Sequence, residues 1–205
     1  MTYTSGHAAE LNTRRRQNNA MADRYQNDRN QLRDALDLHG VNSIEHRQKI
    51  EEIGRVSPHT VVYREFVPES TCVTYALNLS GDVAYRAIAG NFDGKIFAGK
   101  QFIVWLLQSH LQEINHAKRG SLALYFAETI WKHIGVVSGS ARLISKWGTF
   151  PVYEHGLFEV PTPYGDIVRY FNSPCSGQPR QLFLQYAQTC GLSKTDINAA
   201  IQSSV

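Results

Sequence analysis

The sequence predicts an α+β fold in which a helix opening on Cys72 packs against an antiparallel sheet. Three observations carry this. Helical spacing dominates the stretch from Ala8 to Ile53, and short β-branched and aromatic runs dominate from Leu122 to Phe171. Between them Pro68 ends a short strand, after which Ser70 and Thr71 are suited to cap a helix. Helices, then a cysteine helix, then strands is the order of an α+β domain. With 205 residues, 42% hydrophobic and 11% aromatic, the chain can bury a core without disulfides or metal staples. We divide it into a helical extension over 1–57, a core over 58–173 and a helical tail over 174–205.

The extension places Leu11, Met21, Tyr25, Leu32, Leu36, Ile44 and Ile50 at largely helical spacing among Asn, Gln, Arg and Asp. Gly40 and Gly54 divide this thin stripe into two or three amphipathic helices, which pack on the core or meet a protein partner. Thr60 to Val67 alternates as a strand does. The capped helix then carries Cys72, Tyr75, Ala76 and Leu79 towards Gly81. A Gly-rich stretch follows, and Gln101 to Ala117 is strongly periodic, with Phe102, Trp105, Leu106 and Ile114 on its helical repeat. Beyond Gly120 come the runs LALYF, IWKHIGVV, RLISKW, LFEV and IVRYF, separated by Gly, Ser and Pro as in an antiparallel meander. The tail opens on a loop at Pro174 and offers helices over 181–189 and 194–202, the second with Ser193 and Asp196 at capping-box spacing.

Charge and cysteine usage narrow the function classes. Twenty-one basic against 18 acidic residues leave +3, too slight a bias to indicate nucleic acid or a membrane surface. The run Arg14, Arg15, Arg16 lacks the broader basic patch and aromatic platform that nucleic-acid binding uses. No apolar stretch is long enough for a membrane span, and the polar N-terminus does not read as a secretory signal. The expectation is a cytoplasmic protein, or one exported without a classical signal peptide. Cys72, Cys175 and Cys190 are odd in number and lack C-x-x-C spacing, so neither a disulfide framework nor a zinc site is expected. His110 and His116 are six apart and share no helical face, and no phosphate-cradling motif is present, so no metal and no cofactor is expected.

The chemistry concentrates on Cys72. A thiolate is the reactive form of cysteine, and a helix N-terminus favours negative charge. Cys190 stands at the wrong end of its helix, before Gly191, and Cys175 lies in a loop. A three-residue hairpin loop at Ser138 to Ser140 would set Val137 opposite Ala141 and His133 opposite Ser145, on one sheet face. That assembles a nucleophile, a base and a hydroxyl to orient the base. His155 and Asp166, in the aromatic-rich run SKWGTFPVYEHGLFEVPTPYGDIVRYF, are alternatives for the third member, or His155 for the base itself. The backbone N–H of Cys72 is the first candidate oxyanion donor, with Thr60 or Tyr63 before the helix as sources of a second.

STCVTYAL resembles the nucleophile helix of the NlpC-type and CHAP-type cysteine hydrolases, in which cysteine opens the helix and an aromatic follows three residues later. GSLALYF with HIGVVSGSARLIS resembles their strand pair, where a run of the G-D-L-v-x-F kind leads to H-V-G-I-V, a turn and a third polar residue. The likeness covers roughly 60–147. Ser121 to Leu122 stands where that family often has Gly-Asp-Leu, and Ser145 replaces a stronger orienter. The resemblance implies a papain-like core that cleaves amide bonds through a thioester, with Cys72 as nucleophile, His133 as general base and Ser145 as third member. Its substrate would be a peptide or other amide, on peptidoglycan peptides or a protein side chain. An acyltransferase using the same thiol, or a non-catalytic papain-like interaction module, are the alternatives.

Overall fold

The computed structural model describes residues 22–24, 26–38, 40–92 and 95–204, so the Arg14 to Arg16 run lies outside the described residues. Helical residues 26–35 (α1) and Ser43–Val56 (α2) form the N-terminal pair, with Gly40 at φ 74° between them. Asn42 caps α2 through a reciprocal box with Glu45. Gly54 does not end this helix, which runs on to Val56; the bare Cα lets the His59 ring lie close against it. Strand β1 (Val62–Glu65) then leads to α3 (Cys72–Ala76), α4 (Val83–Asn91) and α5 (Lys100–Ser109). The Gly-rich stretch thus holds a helix, because Asp82 caps it and Ala84, Tyr85, Ala87 and Ile88 give it a buried face. The periodic segment at Gln101 stops at His110 rather than Ala117, and Glu113–Ile114 forms the short strand β2.

The remaining strands are β3 (Leu122–Ala127), β4 (Ile130–Gly139), β5 (Arg142–Lys146), β6 (Val152–Gly156) and β7 (Ile167–Phe171), followed by α6 (Gln178–Thr189) and α7 (Lys194–Gln202). One antiparallel sheet results, in the order β1-β6-β5-β4-β3-β7-β2. LFEV is not a strand: the sheet position belongs to VYEHG, and the apolar run that follows forms the turn after it, with Val160 buried.

Alternation assigns the two sheet faces. Leu122, Leu124, Phe126, Ile134 and Phe171 share a core with Val73, Ile88, Phe102, Leu106 and Phe183 from α3 to α6, joined by Ile197 of α7. Ala123, Tyr125, Val137, Leu143, Trp147 and Tyr153 face the other way and are covered by Leu32, Leu36 and Ile50 of the N-terminal helices. The extension's thin stripe is therefore spent on the chain's own sheet. Arg33 reinforces it by donating to the carbonyls of Val160, Thr162 and Gly165, the last at 2.6 Å. Among the described residues no helix is long and apolar enough to cross a membrane.

Gly165 is required where it stands. Its φ is 92°, and a Cβ there would lie 2.3 Å from the Phe126 backbone. Gly165→Ala is expected to cost about 3 kcal/mol or more, joining a backbone conformation nearly closed to L-residues with a clash against backbone. Urea denaturation measures this, and a loss below about 1 kcal/mol would show that the turn yields cheaply.

Candidate active site

Thr71 fixes the start of α3. Its hydroxyl accepts from Thr74 N–H at 3.1 Å while its own N–H donates to Thr74 Oγ1 at 2.8 Å, so Cys72 is the first helical residue. The helix ends at Ala76 instead of near Gly81, with Asn78 at φ 53°. It packs against both β4 and β5 at the point where these strands part. Their ladder ends at Val136 opposite Ile144, whereas β5 stays with β6 as far as Lys146 and β4 stays with β3 back to Ile130. Continued, the ladder would set Ile134 against Lys146. Instead the Ile134 N–H meets the Cys72 thiol, which the N–H groups of Val73 and Cys72 also approach.

Despite those donors, burial raises the thiol pKa to about 11. The expected lowering fails for a physical reason. A helix of five residues has little macrodipole, and desolvation outweighs three N–H groups and the nearby Lys146. The Lys146 ammonium, on a buried stem, donates to the Phe150 carbonyl at 2.7 Å and lies 5.7 Å from the centre of the Phe66 ring. Burial lowers its pKa, and the neighbouring thiol opposes that shift.

His133 precedes Ile134 on β4, with its ring on the face that carries Tyr125. Tyr164, from the 3₁₀ turn Thr162–Tyr164, stacks on the imidazole at 3.9 Å between centres and 13° between planes. The ring is 1% exposed, and its Nε2 has no hydrogen-bond partner among the described residues. Burial, with His155 nearby, holds its pKa well below 6.5, so it is neutral at pH 7.

Ser145 does not face His133. The hairpin turns more tightly than a three-residue loop, with Ala141 at φ 54° and a bulge between Val137 and Gly139, so Val137 opposes Leu143. A shift of two keeps Ser145 on the same face as His133 but brings it beside Gly135, whose Cα has room for no Cβ without crowding Ser145. The Ser145 hydroxyl lies 2.8 Å from His155 Nε2 and accepts from Trp147 Nε1 at 3.1 Å. His155 Nδ1 is 2.8 Å from the Gly156 carbonyl, which takes the ring proton, so Ser145 must donate to Nε2. Both nitrogens of His155 are thus engaged. Asp166 supports neither imidazole; it is exposed and lies beside the buried Arg33.

The proposed second oxyanion donors are also engaged elsewhere. Thr60 bonds Glu159 and Arg142, and Tyr63 lies against Tyr153 beneath the Arg47 guanidinium. Sequence reasoning passed over Lys146 and Tyr164. A signal existed for the first: in RLISKW, strand alternation turns Lys146 away from Ser145 and so towards the cysteine helix. Among the described residues no group of three or more His, Cys, Asp or Glu could hold a metal ion.

No protein-family model, curated protein or solved structure matches this chain.

Proposed function

We propose that the chain is a cysteine hydrolase with a papain-like, NlpC-type core, cleaving an amide bond of a peptide or protein side chain. The reading is carried by one observation: where the β4–β5 ladder ends, the Cys72 thiol receives the Ile134 N–H and lies near Tyr164, the ring that stacks on the buried, neutral His133 imidazole from the opposite sheet face. As sulfur attacks the carbonyl carbon, His133 takes the thiol proton and returns it to the departing amine, leaving a thioester. Water then attacks the thioester, gives a proton to His133, and the sulfur regains it on release of the acid. With a thiol near 11 and a depressed imidazole, proton transfer accompanies attack rather than preceding it. An amine or glycerol in place of water would make the same site an acyltransferase.

A non-catalytic module is the second reading, favoured by the raised thiol pKa and by the Tyr164 ring over His133. p-Nitrophenyl acetate separates the two. A hydrolase gives a burst of nitrophenolate with acetyl-Cys72 seen by mass spectrometry, followed by slower turnover, and Cys72→Ala abolishes both. A folded protein that leaves Cys72 unacylated across pH 6 to 10 is the module.

A further inference from the structure

We infer that Tyr164 is the positioning residue of His133, in the place of a hydrogen-bonded third member, and that α1 holds it there through Arg33. The inference rests on the cysteine-hydrolase reading and deepens it by naming what aims the base. The expected orienters serve other partners: Ser145 donates to His155, His155 is engaged at both nitrogens, and Asp166 lies beside Arg33. His133 Nε2 has no polar group bonded to it among the described residues. What holds the ring is contact with its faces.

Two tyrosines make that contact. Tyr164 lies nearly parallel to the imidazole at 3.9 Å, and Tyr125 flanks it at 5.7 Å and 52°. A parallel stack covers the flat of a ring and fixes its plane, yet leaves free the edge that carries the nitrogens. Trp147 meets Tyr164 edge-on at 6.4 Å, so the stacked ring is itself backed.

The turn that carries Tyr164 is secured from α1. Arg33, 4% exposed, donates to the carbonyls of Val160, Thr162 and Gly165, which bracket Tyr164 on both sides. Its neighbour Asp34 accepts from the Thr162 hydroxyl at 2.6 Å. Beyond the turn, the Asp166 N–H donates to the Phe126 carbonyl at 3.1 Å and ties it to β3. Leu32 and Leu36 already dock α1 on the sheet, so these bonds are not needed to attach the helix. Burying a guanidinium is costly, and this one directs its donors to neutral carbonyls of a single turn. The result is four hydrogen bonds from α1 converging on the segment that lays a ring over the base.

The imidazole signals of the full chain, labelled in histidine and assigned with His133→Gln, report the ring directly, while p-nitrophenyl acetate reports Cys72. Tyr164→Leu keeps apolar bulk without a ring. In it the His133 titration should move up towards 6.5 as water reaches the imidazole, and acylation should slow by up to about 10²-fold, the loss expected when a reacting group is misplaced. Tyr164→Phe, which restores a ring, should recover most of both losses. Arg33→Met should act in the same direction and add little to Tyr164→Leu, since both work through one turn. Thr162→Val, at an exposed position, makes the same test if Arg33→Met does not fold. A folded Tyr164→Leu with an unchanged His133 titration, or Arg33 and Tyr164 effects that simply add, overturns the positioning role and leaves the hydrolase reading standing. A His133 that responds as expected beside a Cys72 that is never acylated overturns the hydrolase reading and keeps the hold of Tyr164 on the ring.

Discussion

Replacing His133 by alanine is expected to slow acylation of Cys72 by p-nitrophenyl acetate about 10²- to 10⁴-fold, the usual contribution of a positioned general base. In this site the loss should fall at the upper end. A thiol near 11 supplies almost no thiolate at pH 7, so attack depends on a group that removes the proton as the bond forms. Cys72→Ala should be as inactive as the double variant, since the pair acts as a unit. Ser145→Ala should behave otherwise, because its hydroxyl serves His155 and Trp147 rather than His133. It leaves two buried groups short of a partner, costs about 1–3 kcal/mol of stability, and changes the rate less than tenfold. Stopped-flow release of nitrophenolate gives the rates. A His155→Ala variant that stays folded and loses more activity than His133→Ala would move the base to His155.

What the sequence disclosed was mostly local chemistry. Thr71 and Ser193 announced their helices because an N-cap bonds residues only three positions away, and both capping boxes are present. The β-rich runs marked five of the seven strands, β1, β3, β4, β5 and β7, and the order of helices, cysteine helix and sheet followed. What stayed hidden depended on residues far apart. LFEV and VYEHG differ little as strings of letters, and only pairing of β6 with both β1 and β5 selects the second. The hairpin register turned on a bulge and a positive φ at Ala141 that no loop length specifies. The thiol shift was misread in sign because a cap reveals where a helix starts and nothing about how much chain will cover it. Lys146 and Tyr164 reach the site from β5 and a 3₁₀ turn that the fold alone brings to Cys72 and His133.

Three imidazoles buried on one side of the sheet should make this protein acid-labile well above the range in which its carboxylates titrate. His46 is 1% exposed, stacked on Phe150 at 3.9 Å with Nδ1 2.9 Å from the Tyr153 hydroxyl, and burial lowers its pKa to about 4. Burial does the same to His155, also to about 4, and holds His133 well below 6.5. The sign follows from linkage. As pH falls through 6.5 the unfolded chain binds three protons that the folded chain refuses, so stability is full above 6.5 and drains away towards 4. For His46 and His155 the loss is on the order of 3 kcal/mol each, against a total stability of about 5–15 kcal/mol for a domain. The Arg169 side chain lowers the pKa of the Glu113 carboxyl from 4.5, so that group plays no part in the onset near pH 6.5. Urea unfolding followed by tryptophan fluorescence, repeated from pH 7.5 down to 4.5, should show a steep fall beginning near pH 6.5. The slope should correspond to more than one proton, and His46→Phe, which keeps a ring against Phe150, should reduce it by about one. Stability that stays level to pH 4.5 would mean that the imidazoles accept protons in place, and hence that the sheet face beneath α1 and α2 admits water.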